Sequence, residues 1–177
     1  MRFGDINSVG DVLADNILIK VSEVEVSSDC TYVDFTGLDG NSAWFYVLFA
    51  TIKNPTASGS GYNLFVNGDT TETNYYNQWI NIDGTSRNSD RENRPWAVYN
   101  EAGVKNFYEV IISKDPDGYF RYVGKGNRRE GSNVILVLTA GCKTATISNI
   151  TSLRIQSSVS GAIGTGSKFI LFKARRG

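Results

Sequence analysis

Polar and apolar residues alternate along most of this chain at the two-residue period of a strand. Ile17, Ile19 and Val21 share one parity and Val24 and Val26 the other, which predicts a strand with a bulge near Ser22-Glu23. Residues 31–35 predict a second strand, stopped by Gly37-Leu38-Asp39-Gly40. Residues 43–52 (AWFYVLFATI) are apolar at both parities, as a central strand buried on two faces would be. Residues 62–66 lead into Asn67-Gly68, a pair that tolerates positive φ at both positions. It predicts a hairpin returning through Tyr75, Tyr76 and Trp79. Residues 81–95 lack apolar alternation and read as a long polar loop, a feature that is often functional. Residues 96–99 predict a short strand. Residues 105–113 and 119–123 flank Asp115-Pro116-Asp117-Gly118, a second hairpin. Residues 124–131 read as a basic loop and residues 134–138 (VILVL) as a buried strand. Residues 150–156 and 168–173 close the series, joined by a Gly/Ser-rich stretch. Helical periodicity is confined to residues 6–16, which read as a short helix or an extended arm. The pattern predicts an all-β, antiparallel sandwich of about eight to ten strands over residues 17–177, preceded by that arm or helix over 1–16.

Composition sharpens this picture mainly by exclusion. The 177 residues suit one domain and need no disulfide or metal to hold a core. Histidine is absent, which removes Ser-His-Asp and Cys-His catalysis and imidazole-ligated metals. Two cysteines, Cys30 and Cys142, imply no disulfide scaffold and no metal site. Cys30 reads as a buried thiol at the start of a strand, and Cys142 as a turn residue after Thr139-Ala140-Gly141. The longest apolar run, residues 43–50, is too short for a membrane helix, so no membrane partner is expected. The first residues lack an apolar stretch after Arg2, so synthesis in a cytoplasm is expected.

The formal charge is zero, which argues against binding nucleic acid through bulk charge. The charge is nonetheless divided. Residues 1–40 carry a net of −6 and residues 41–177 a net of +6, which reads either as ordinary solvated surface or as an acidic N-terminal part that meets the basic part of a neighbouring copy.

Several short motifs resemble chemical sites. Residues 161–168 (GAIGTGSK) nearly spell a phosphate loop, but Ser167 precedes Lys168 and a strand-like run follows where a helix is needed. Asp115-Pro116-Asp117-Gly118 resembles the start of a calcium loop without the later oxygen ligands. Asp83, Asp90, Glu92, Glu101 and Glu109 are the carboxylates that glycoside hydrolysis would require. Arg87, Arg91 and Arg94 beside three of them favour ion pairs over a proton-holding acid. Tyr75, Tyr76, Trp79, Trp96, Tyr99, Tyr119 and Tyr122 are candidates for sugar stacking, set against packing between sheets. Asn149-Ile150-Thr151 matches a glycosylation acceptor. The residues expected to meet a ligand or partner are Trp79, Arg87, Arg91, Arg94, Trp96, Arg128 and Arg129. No catalytic residue, cofactor or metal is assigned.

Three stretches together resemble the jelly-roll virion proteins of tailed bacteriophages. They are residues 35–40 (FTGLDG) followed by the apolar strand and Asn54-Pro55-Thr56; residues 62–71 (YNLFVNGDTT) with Asn74-Tyr75-Tyr76; and residues 150–155 (ITSLRI) with residues 166–172 (GSKFILF). The resemblance spans roughly residues 30–174 and marks hairpins and closing strands. It implies a jelly-roll-like sandwich with no enzymatic activity, located in the virion. The implied role is a capsid decoration protein docking in many copies on a major capsid or tail protein, as a homo-oligomer, in that family often a trimer. The alternative it leaves is a tail or tail-fibre module that binds a host glycan. It carries no catalytic or ligand motif to particular residues.

Overall fold

The computed structural model describes residues 18–84, 86–130 and 133–175; the arm or helix expected over 1–16 lies outside the described residues. The strands are β1 (Leu18–Glu25), β2 (Tyr32–Thr36), β3 (Ala43–Lys53), β4 (Ser60–Val66), β5 (Tyr75–Asp83) and β6 (Ser86–Glu92). They continue with β7 (Trp96–Asn100), β8 (Lys105–Lys114), β9 (Tyr119–Glu130), β10 (Asn133–Thr146), β11 (Ser152–Ser157) and β12 (Lys168–Arg175). All pair antiparallel, in an eight-stranded and a four-stranded sheet.

Eight of the strands have the order of a jelly roll. One sheet runs β1-β12-β3-β8 and the other β2-β11-β4-β7. The other four are insertions. The β5–β6 hairpin interrupts the chain between β4 and β7, and β9–β10 interrupts it between β8 and β11. Both insertions extend the first sheet beyond β8, giving β8-β9-β10-β5-β6. The molecule is a jelly-roll body with a four-stranded wing.

The two sheets meet over one apolar core, with Leu48, Ile52, Leu64, Ile112, Phe120 and Phe169 fully buried. Tyrosines bolt the layers together. Tyr75 donates to the Asp69 carbonyl at 2.8 Å, Tyr122 to the Trp96 carbonyl at 3.3 Å, and Tyr108 to the Tyr99 carbonyl. Satisfying each hydroxyl avoids the cost of burying it unpaired. Two glycines make room for these rings. A Cβ on Gly126 would lie 2.1 Å from the Tyr108 ring, and one on Gly141 would lie 2.3 Å from the Tyr122 ring.

Several sequence expectations hold and several need correction. The pairing of β1 with β12 shifts between Lys20 and Ser22, one residue before the expected bulge. β3 lies between β12 and β8, as expected of a central strand. The Asp115–Gly118 turn joins β8 and β9 as a hairpin.

Asn67-Gly68 turns the chain with φ of 54° and 74°, but makes no hairpin: β4 and β5 belong to different sheets. The Asn67 side chain accepts from Thr151 N at 2.8 Å and donates to the Asn149 carbonyl at 2.7 Å, so the turn is tied to the start of β11. The expected polar loop over 81–95 is largely strand, the end of β5 and all of β6. β6 is polar throughout because it is the sheet's outermost strand, where charge blunts edge-to-edge pairing. The expected basic loop over 124–131 is the continuation of β9 through Glu130, where Gly124 makes room for Thr139 and Gly126 for the Tyr108 ring. Residues 134–138 are not doubly buried: Ile135 and Val137 face the core, while Val134, Leu136 and Leu138 are exposed. Cys142 is a strand residue of β10, not a turn residue. Cys30 is only partly buried, and both thiols are free.

Candidate functional site

All seven residues singled out from the sequence lie on the wing or on the chain leading from it into β7. Trp79 is on β5, Arg87 and Arg91 on β6, and Arg128 and Arg129 on β9; Arg94 precedes Trp96, the first residue of β7. Those on the large sheet divide between its two faces.

Facing the smaller sheet, Trp79 meets Trp96 edge-on at 5.3 Å and Trp96 meets Tyr99 edge-on at 5.7 Å. The Arg94 guanidinium sits 5.3 Å from the Trp96 ring centre, and Arg128 sits 4.9 Å from that of Tyr99. Each cation has a carboxylate: Arg94 pairs with Glu92, and Arg128 with Glu101 at 3.2 Å. The Arg94 hydrogen bond holds the Glu92 carboxyl below its ordinary range, and Glu92 raises Arg94 in return. Trp96 also lies on Gly61, where a Cβ would come 2.3 Å from the indole nitrogen. Broad surfaces of these rings are therefore already occupied by arginines and backbone. Stacking on a sugar needs an open ring face, and arginines already lie over Trp96 and Tyr99.

Three of the five candidate carboxylates are committed to cations. Glu92, Glu101 and Glu109 are each ion-paired, the last with Lys125 at 3.1 Å. An adjacent cation favours the ionised form, the opposite of what a proton-donating acid needs. Asp115 is likewise committed to Arg121 and to the Tyr119 backbone N–H, and its carboxyl is lowered chiefly by Arg121. Residues 161–168 lead directly into β12, with no helix to receive a phosphate. Among the described residues, no group of three carboxylates or thiols is placed to hold a metal ion.

The outer face of the large sheet has a different chemistry. Val47 of β3 pairs with Ile111 of β8, Ile111 with Val123 of β9, and Val123 with Ala140 of β10. In the next row Phe49 pairs with Glu109, Glu109 with Lys125, Lys125 with Leu138, and Leu138 with Ile80. Phe49 stacks on Phe107 at 6.1 Å and meets Phe172 edge-on at 6.0 Å. Val123 is 60% exposed, Ile111 45% and Phe107 47%.

Two adjoining hollows of about 520 and 630 Å³ mark this face. The first is lined by Ile80, Ile111, Val123 and Leu138, the second by Tyr76, Arg91, Arg121 and Cys142. Cations frame the apolar band: Arg87 and Arg91 on β6, Arg121, Lys125 and Arg129 on β9. Of this frame, the sequence pointed to Arg87, Arg91 and Arg129; Arg121, Lys125 and the apolar centre were missed. The available signal was residues 134–138, apolar at both parities, which means two apolar faces whether or not both are covered.

Of the aromatic candidates, Tyr75 and Tyr122 are core residues and Tyr76 is exposed on the outer face. Burial pushes the Tyr75 hydroxyl up to about 12 and raises that of Tyr122 further. No protein-family model matches the sequence, and none of the curated proteins matches it.

Proposed function

We propose that this chain is a non-enzymatic structural protein of a bacteriophage virion, docking in many copies on the assembled particle as a decoration protein. The observation that carries the proposal is the outer face of the large sheet, a wide apolar band with hollows and a cationic frame. Exposed apolar faces of this kind mark protein–protein contact when they are rimmed by polar groups. The strands that widen it are insertions a jelly roll does not need. Jelly rolls serve viral capsids but also lectins and cupins, so the fold supports the proposal by analogy only. A decoration protein works by mass action: it binds the assembled lattice and stabilises the state it binds.

Cryo-EM of particles assembled with this chain tests the proposal. The expected density is ordered copies at regular shell positions with Val123 and Leu138 buried. Particles with no copy on shell or tail overturn it. Copies confined to the tail move the protein to the host-attachment role. That role has the Trp79–Trp96–Tyr99 cluster in its favour and the capping of those rings by Arg94 and Arg128 against it. Binding on a glycan array that is lost in Trp79→Ala would establish it.

A further inference from the structure

We infer that the outer face of the large sheet receives residues 1–17 of a second copy of this chain. The inference rests on the proposal that this face is a docking surface, and it names a neighbouring copy, not the shell itself, as the occupant that buries Val123 and Leu138.

Charge selects the occupant. On its wing side the face carries Arg87, Arg91, Arg121, Lys125 and Arg129, against Glu109 within the band and Asp115 at its margin; Glu23, Glu25 and Lys168 share the face only at the far edge, on β1 and β12. Two such faces pressed together would set cations against cations, so a symmetric face-to-face contact is disfavoured. An acidic, apolar segment suits the face. Residues 1–17 hold Arg2 against Asp5, Asp11 and Asp15, with Phe3, Ile6, Val9, Val12, Leu13 and Ile17 between them. The apolar residues match the band and the aspartates match its frame.

Length is also adequate. Crossing from β12 to β5 takes five strand spacings, roughly 24 Å at about 4.8 Å each. Seventeen extended residues span up to about 58 Å. A second copy is favoured by where the segment joins the sheet. Leu18 pairs with Ala174 on β1, the edge strand farthest from the wing. The hollows lie on the wing side, so a segment from a neighbouring copy reaches them without doubling back over its own β1, β12 and β3.

The full-length chain tests this in two ways. Sedimentation should show an oligomer that becomes monomeric in Val12→Asp/Leu13→Asp and in Val123→Asp, with near-ultraviolet circular dichroism unchanged in both. Carbodiimide coupling of mixed ¹⁴N and ¹⁵N chains should join an aspartate of residues 1–17 to Lys125 between a light and a heavy chain. A monomeric native chain overturns the inference, as does an oligomer that survives both sets of substitutions. Coupling confined to chains of one isotope also overturns it, assigning the face to the chain's own N-terminal segment.

Particle binding is scored separately. A monomeric native chain that still occupies the particle overturns this inference and leaves the virion proposal standing. An oligomer held by residues 1–17 that never occupies a particle supports the inference and overturns that proposal.

Discussion

The jelly-roll body and the inserted wing are built from similar strands but treat their apolar residues differently. In the body, Leu48 and Leu64 are sealed between the sheets, and neighbouring polar groups are bonded: Asn100 donates to the Ile52 carbonyl at 2.8 Å and accepts from Asn106 at 2.8 Å. On the wing, Val123, Leu136 and Leu138 stand exposed beside cations on the opposite face of the same sheet. An apolar side chain contributes to folding only through the surface it removes from water. The body residues therefore hold the fold, and the outward wing residues are available for a partner.

The largest expected effect separates the two regions directly. Leu64→Ala should lower the unfolding free energy by about 3 kcal/mol, the cost of a buried cavity, whereas Leu138→Ala should cost under about 1 kcal/mol. Urea unfolding of the two variants measures the gap, and equal losses would erase the distinction. Asn100→Ala comes next. It removes the Asn100 side-chain bonds to the Ile52 carbonyl and Asn106, leaves Tyr108 its bond to the Tyr99 carbonyl, and should cost roughly 2 kcal/mol in the same assay.

The joint between the regions has a pH signature of similar size. Asp69 follows β4 of the body and pairs with Lys143 on β10 of the wing. Burial alone would raise its pKa, but hydrogen bonds from Lys143, Asn74 and the Thr71 N–H outweigh this and hold it at about 2. A depressed folded-state pKa contributes stability that is present above the unfolded value near 3.8 and is lost as pH falls through about 2. Acid titration of stability should show about 2 kcal/mol lost between roughly pH 4 and 2 from this group. Asp69→Asn should remove that part of the slope and leave the remainder. The smallest effect is expected at Arg94→Ala, which uncovers the Trp96 ring. It should cost no more than about 0.5 kcal/mol and report through tryptophan fluorescence. A larger loss would mean the aromatic cluster supports the body.

The body was more readable than the wing for a physical reason. Alternation reports a strand when one face is buried and the other wet, which describes β1 and β2 and made them visible. β6 has both faces wet, so its sequence SRNSDRE resembles a loop until β5 pairs with it. β9 carries Gly124 and Gly126, which read as breakers in isolation but in the fold give way to the Thr139 and Tyr108 side chains. The Asn67-Gly68 turn was legible as a turn. Its partners Asn149 and Thr151 lie more than eighty residues away, so its role in crossing between sheets was not. At the candidate site Arg87, Arg91, Arg94, Arg128 and Arg129 were legible by type, while Arg121 and the division between a paired cluster and a docking frame were not.

From residues alone came the two-residue period, the lack of any long helical segment, the loss of histidine chemistry and the divided charge, because these depend on side-chain type and local order. Sheet membership, the four-strand extension and the face each arginine occupies came only with the folded chain. They depend on which distant strand supplies the hydrogen-bonding edge, and no local pattern encodes that choice. The same holds for the apolar outer face: VILVL records two apolar faces, and only the packing of the sheets decides which one meets water.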